Sequence, residues 1–186
     1  MSSADIEIRL ALSEDLPLLG PLELRAAERF RDSPHPDCVD MAHFDLGRLT
    51  ELSRAGSVWV ATGIADQPIG FVIAEAWRED GHDEGYVHEL DVEQAHGGRG
   101  VGRALLSRVA EWAKARGLGT LLLATFNDVA WNAPFYQRLG FVLVPLTDYT
   151  PRMLAQRHSD LAAGMKAASR VMLRAPVDAV LAATRA

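Results

Sequence analysis

The sequence predicts one α/β domain of mixed element order, and three patterns carry that expectation. Short strand-like runs recur at 6–10, 58–62, 69–77, 86–92 and 120–125. Stretches with apolar residues three and four apart lie between them, as amphipathic helices require. The run Thr120-Leu121-Leu122-Leu123-Ala124-Thr125 is continuously apolar, which suits a strand covered on both faces. The chain has 186 residues, enough for a sizeable core, and shows no repeat or linker. One domain over 1–186 is expected, with a core at about 5–145 and a C-terminal helix, last strand and tail in 150–186.

Ile6-Glu7-Ile8-Arg9-Leu10 alternates apolar and polar residues, as a half-buried strand does. Ser13 caps a helix whose apolar positions are Leu16, Leu19, Leu22, Ala26, Ala27 and Phe30, and the Pro-rich stretch 33–37 ends it. Asp40 caps a second helix that carries Met41, Phe44, Leu46, Leu49 and Leu52 and stops at Gly56. The runs 58–62 and 69–77 form a hairpin around Asp66-Gln67-Pro68. Residues 78–85 read as an exposed loop, and 86–92 as the next strand. Residues 100–116 read as a helix with Val101, Leu105, Val109, Trp112 and Ala113 on one face. Pro134 opens a helix that stops near Gly140. Strand-like residues 141–144, helical residues 153–165, a strand at 169–173 and a tail helix at 177–186 complete the series.

Hydrophobic residues make up 48% of the chain and charged residues 24%, and the formal net charge is -6. That balance argues against nucleic acid and anionic membrane as partners and is compatible with a cationic substrate. Cys38 is the sole cysteine, so no intrachain disulfide forms. The first ten residues lack the apolar run of a signal peptide, and no window approaches the ~18 apolar residues of a membrane span. A cytoplasmic location is expected.

The most informative segment is 86–141. Its centre, Gly97-Gly98-Arg99-Gly100-Val101-Gly102, sits between a strand and a helix. Glycines there let the backbone approach a ligand, and a helix start offers N–H groups to an anion, so a phosphate-bearing ligand is implied. A P-loop would need Gly-Lys-Ser/Thr where this chain has Gly102-Arg103-Ala104. A dinucleotide fingerprint would need G-x-G-x-x-G and an acid near the end of the next strand, and neither is present.

The segment resembles the GCN5-related N-acetyltransferase (GNAT) superfamily. The resemblance rests on the strand ending Leu90-Asp91-Val92, the glycine loop, the helix beginning Arg103-Ala104-Leu105-Leu106, and the closing run Phe135-Tyr136-Gln137-Arg138-Leu139-Gly140-Phe141. It implies a single mixed sheet of about six or seven strands with helices on both faces and a splay between the fourth and fifth strands. It also implies acetyl-CoA as co-substrate, with no metal. The loop would hold the pyrophosphate through Gly97, Gly98, Arg99, Gly100, Val101, Gly102 and Arg103. Gly97 stands where the family pattern has Gln or Arg, a change that removes a side chain and keeps an amide.

By the same resemblance, the pantetheine arm would pair with the backbone of Leu90 and Val92, and Asn132 or Asn127 would bond its amides. Asn132 would equally serve as a helix cap. Tyr136 would protonate the departing thiolate, against the plainer reading of a ring packed beside Phe135 and Phe141. Strict alternation along 86–92 puts 86, 88, 90 and 92 on one face and 87, 89 and 91 on the other. Glu89 and Asp91 therefore share a face of a central strand, where charge is costly unless used. Glu89 would be the base for the incoming ammonium and Asp91 a substrate contact, with His88 as a packed histidine or second base. Phe30 and Trp131 would wall the acceptor site, with Glu28, Arg29, Asp37 and Trp77 as further candidates.

The expected activity is acetyl transfer from acetyl-CoA to a primary amine of a small molecule, by direct attack in a ternary complex. An acyl-CoA-binding sensor with little catalysis is the alternative. A homodimer is compatible with the 150–164 segment.

Overall fold

The structure is a computed structural model that describes residues 6–41, 44–79 and 81–185. What the sequence suggests at 1–5, 42–43, 80 and 186 lies outside the described residues. A seven-stranded sheet runs in the order β1-β2-β3-β4-β5-β7-β6. Its strands are β1 (Glu7–Leu10), β2 (Val58–Thr62), β3 (Pro68–Glu79), β4 (His82–Val92), β5 (Thr120–Phe126), β6 (Val142–Leu143) and β7 (Arg170–Pro176). Every pairing is antiparallel except β4 with β5.

Helices cover both faces. One face packs under α3 (Val101–Ala115) and α6 (Val177–Arg185), where Leu105, Val109, Ala113, Val177 and Val180 meet Val72, Ala74, Val87, Leu121 and Leu123. The apolar stripe read from the sequence of α3 is the buried stripe, and Arg103, Arg108, Glu111 and Lys114 stay exposed. On the other face, α1 (Leu16–Ala27) and α2 (Leu46–Arg54) lie over β2 and β3. Beside them α5 (Pro151–Ala162) seats Met153 on Trp77, Tyr86 and Leu122. Full burial of each large side chain contributes about 1.5–3 kcal/mol.

Several boundaries differ from expectation, each for a local reason. The second helix is capped by Asp45, whose side chain accepts from the Arg48 amide, while Asp40 ends a separate 3-10 turn. Residues 78–85 are not a loop: β3 and β4 continue as a long hairpin, with pairing from Arg78↔Asp83 to Glu79↔His82. Gly81, at φ 81°, supplies the turn. Charge and glycine content suggest a loop, but the Arg78 guanidinium donates to Asp83 across the strands at 2.7 Å.

Candidate active site

The site begins where two strands part. β4 pairs with β5 only from Glu84↔Thr120 to Val87↔Leu123. Beyond that, β5 continues against β7 and β4 continues against β3. The edge of β4 over 88–92 that faces β5 therefore has no ladder partner among the described residues. A β-bulge marks the point of departure: Ile73 pairs with Glu89 and Ala74 with Val87, leaving His88 as the extra residue. A bulge bends its strand and increases twist, which is how one strand leaves its neighbour.

The bulge also changes which side chains share a face. Strict alternation put Tyr86 and His88 opposite Glu89, and this is corrected. Val87, Leu90 and Val92 pack toward α3. Tyr86, His88, Glu89 and Asp91 all turn toward the α1 and α5 side, because the extra residue shifts the parity by one. Glu89 and Asp91 still share a face, now with His88 beside them.

At the near end of the gap lies the start of α3. Gly98 and Gly100 are left-handed, at φ 72° and 85°. A Cβ at either would meet nothing within 4 Å, so conformation and not space calls for glycine there. The helix start has no side-chain cap and no acid in its first turn. The amides of Val101, Gly102 and Arg103 thus have no partner among the described residues, which suits a phosphate. The Gly97 amide already donates to the Gln94 carbonyl at 3.1 Å, which takes it out of that open set. A Cβ on Gly102 would come within 3.4 Å of the Phe135 ring and 3.9 Å of Leu90 and Val92, so the helix start sits tightly against the gap. Amides at the helix start and an unladdered strand edge are backbone groups of the kind that a pyrophosphate and an amide-bearing chain would pair with. Arg99 and Arg103 are exposed beside them.

At the far end, α1 adds a carboxylate that the sequence reading missed. Oxygens of Glu23, Glu89 and Asp91 all lie within 4.8 Å of one another. Arg25 ties α1 to the end of β4 through Glu93 at 2.6 Å, which holds Glu23 over the strand. Burial raises Glu89 to about 7, with the Glu23 charge pushing the same way and Arg170 opposing. Burial also raises Asp91 well above the usual carboxylate range, followed by the charges of Glu89 and Glu23. The buried Asp91 Oδ2 has no hydrogen-bond partner among the described residues. Acids this close titrate as a unit and share protons near neutrality.

Tyr136 lies in α4 (Ala133–Gln137), which Pro134 opens. Its ring packs edge-on against Phe135 and Phe141, at 5.1 and 5.7 Å. Burial pushes its phenol up, and the charges of Glu89 and Asp91 push further, so it stays protonated at working pH. The Asn132 side chain does not cap α4; its backbone carbonyl instead accepts from the Phe135 amide at 2.8 Å. Asn127 is exposed, and its amide donates to the Ser169 carbonyl.

Aromatic rings cluster around the turn that follows α1 and the end of β5. Phe30 stands edge-on to Trp131 at 5.8 Å and to Phe126 at 6.0 Å. Arg29 lies over Trp131, and Arg170 lies over Phe126 while pairing with Asp160 at 2.8 Å. The buried His35 stacks on Phe126 and reaches Asp128 at 2.7 Å, fixing the loop after α1 to the end of β5. Of the other suggested wall residues, Trp77 is stacked on Tyr86 in the core, Glu28 pairs with Arg31 at the surface, and Asp37 is exposed. His88 is engaged by Glu75 at 2.9 Å, and burial pushes its imidazole down.

Residues 22–141 match the family described as the acetyltransferase (GNAT) family. A glucosamine 6-phosphate N-acetyltransferase from Trypanosoma brucei brucei is 23% identical over 134 residues, covering 64% of this chain and 88% of that protein. A streptothricin acetyltransferase from Streptomyces lavendulae is 32% identical over 90 residues, covering 47% of this chain and 46% of that protein. The paia N-acetyltransferase of Thermoplasma acidophilum, solved in complex with coenzyme A, superposes with a TM-score of 0.66 at 14% identity, covering 92% of this chain and 98% of that one. The splayed sheet, the open helix start and the sequence match agree, and the chain belongs to the acetyltransferase (GNAT) family as an acetyl-CoA-dependent N-acyltransferase.

Proposed function

We propose that the protein moves the acetyl group of acetyl-CoA to a primary amine of a small molecule, by direct attack in a ternary complex. The observation that carries this reading is the Glu23, Glu89 and Asp91 cluster at the open end of the strand gap, with Tyr136 in its electrostatic field. A free alkylamine has a pKa near that of lysine, about 10.4, and arrives as an ammonium ion. The cluster binds that cation, and the cation offsets the mutual repulsion of the acids.

Glu89, poised at about 7, takes the proton that the amine must lose. The nitrogen lone pair then attacks the thioester carbonyl carbon, the C–N bond forms, and the C–S bond breaks. The leaving sulfur, a thiolate of ordinary pKa about 8.5, takes its proton from the Tyr136 hydroxyl, and the second proton that the nitrogen sheds on becoming an amide restores the Tyr136 phenol. On this reading the amides of Gly98, Arg99, Gly100, Val101, Gly102 and Arg103 hold the pyrophosphate. The edge of Leu90 and Val92 takes the pantetheine arm, and Asn132 offers an amide side chain that has no hydrogen bond to a described residue. Phe30 and Trp131 with Asp91 shape the acceptor side.

The test is thiol release from acetyl-CoA over a panel of small amines, with Tyr136→Phe beside the wild type. Tyr136→Phe is expected to lower kcat by about 10²-fold while KM for acetyl-CoA moves little. Full kcat in the variant across the pH range would remove Tyr136 from the mechanism. Acetyl-CoA binding with no thiol release on any amine would replace the enzyme reading with that of a binding module.

A further inference from the structure

The two arginines on the acceptor wall are built alike but end differently. Arg170 lies over Phe126 at 5.1 Å, and its Nε donates to Asp160 at 2.8 Å, which gives it a paired carboxylate. Arg29 lies over Trp131 at 4.5 Å. It is half-buried, and its donors make no hydrogen bond to a described residue. Stacking on Trp131, itself braced by Phe30, fixes the plane of the guanidinium. Burial pushes Arg29 down from its ordinary value, and the charge of Asp91 opposes without cancelling this. The group is thus a fixed fork of donors with an incomplete counter-charge, the form that carboxylates and phosphates bind bidentately.

Its place in the fold connects it to the acids. Glu23 lies in α1, and Arg29 lies in the 3-10 turn Glu28–Phe30 that extends the same helix. Asp91 is felt by both ends, since it clusters with Glu23 and acts on Arg29. Charge is therefore split along this stretch: carboxylates around Glu23 and a stacked guanidinium on the turn that follows α1.

We infer that Arg29 anchors an oxyanion carried by the acceptor, so that the acceptor is an amine bearing a carboxylate or a phosphate. The inference rests on the N-acetyl-transfer reading given above. Such a molecule meets the acid cluster with its ammonium and Arg29 with its oxyanion. A polyamine of similar length would put a second cation against Arg29, where like charge is repelled. The overall charge of -6 favours cations at long range, but a half-buried guanidinium decides at contact distance.

Matched pairs of acceptors test this: an amino acid with its carboxamide, and an amino sugar phosphate with the parent amino sugar. Thiol release is measured with acetyl-CoA, and binding of the same compounds is measured by calorimetry in the presence of CoA. The wild type is expected to favour the anionic member of one pair by about tenfold or more, mainly through KM. The responding pair tells carboxylate from phosphate. Arg29→Gln is expected to bring the ratio close to one, and Arg29→Lys to restore part of it.

A wild-type ratio near one, or in favour of the neutral member, overturns the inference. So does an Arg29→Gln variant that weakens both members in proportion, and so does failure of every compound to bind. Acetylation without an anion preference sinks this inference alone. Binding with an Arg29-dependent anion preference but no acetyl transfer sinks the N-acetyltransferase reading and leaves the anchor standing.

Discussion

The two ends of the strand gap are built from different materials. The α3 end is backbone: left-handed Gly98 and Gly100, uncapped amides, and the unladdered edge of β4. The acceptor end is side chains from separate parts of the chain: Glu23 and Arg29 from α1 and its extension, Glu89 and Asp91 from β4, Trp131 from the loop before α4. A backbone site follows from local conformation and spreads its binding over many weak donors. A side-chain site depends on tertiary convergence and concentrates its chemistry in a few atoms. Single substitutions should therefore cost much more at the acceptor end than at the helix start.

Glu89→Gln breaks the comparison most sharply if it is wrong. Loss of a general base costs about 10²–10⁴ in rate, and kcat/KM should fall by that order. The wild-type profile should lose activity as pH falls through about 7, where the cluster takes up protons. The variant should lose that acid limb. An unchanged profile in Glu89→Gln would move the base elsewhere, to a water chain or to another member of the cluster.

A second measurement reads the same cluster through stability. The folded state holds Glu89 at about 7, above the ordinary value of 4.5, so the folded state binds the proton more tightly than the unfolded chain. That contribution is fully present below about 4.5 and is lost as pH rises through about 7. Ionising this half-buried group therefore costs stability as pH rises. Gln carries no such cost. The Tm advantage of Glu89→Gln over wild type should widen by several degrees between pH 5 and pH 8. A gap that stays flat or narrows would mean that Glu89 is not a desolvated acid in the free protein.

Legibility in the sequence followed the same division. The glycine loop, the α3 stripe and the Phe135-Tyr136 run are local signals: the loop leads into α3, the stripe is buried, and Phe135 and Tyr136 lie in α4. The sheet and its splay came through the resemblance and stand in the strand pairing. The bulge at His88 left a trace, since Tyr86 and Val87 are both apolar and His88 and Glu89 both polar, a break in alternation whose meaning is fixed only by the pairing with β3. Glu23 left a trace too. It falls four residues after Leu19 and three before Ala26, inside the apolar stripe of α1, where a carboxylate needs an explanation. Phe126 and Arg170 left none, since each is an ordinary strand residue until β5 and β7 pair, as Phe126↔Arg170.

Gly100→Ala probes the backbone end and should have the smallest effect. At φ 85° an alanine is strained, and the left-handed conformation costs a non-glycine residue about 1–2 kcal/mol. No atom lies within 4 Å of the added Cβ, so the cost is conformational and not a clash. The helix start would relax away from its left-handed cap and shift the amides of Val101, Gly102 and Arg103. KM for acetyl-CoA should rise about five- to tenfold, with kcat for a saturated enzyme little changed, because Glu89 and Tyr136 are untouched. Gly97→Ala is the matched comparison. Gly97 sits at φ -62°, which any residue adopts, and its amide is already given to Gln94. The added Cβ would press the Gln94 carbonyl at 3.2 Å, a small local adjustment. KM in that variant should stay within about twofold of wild type, since strain-free surface changes usually cost under about 0.5 kcal/mol. Equal KM values for the two variants would mean that the helix-start amides do not hold the cofactor, and the contrast between the two ends of the gap would have to be redrawn.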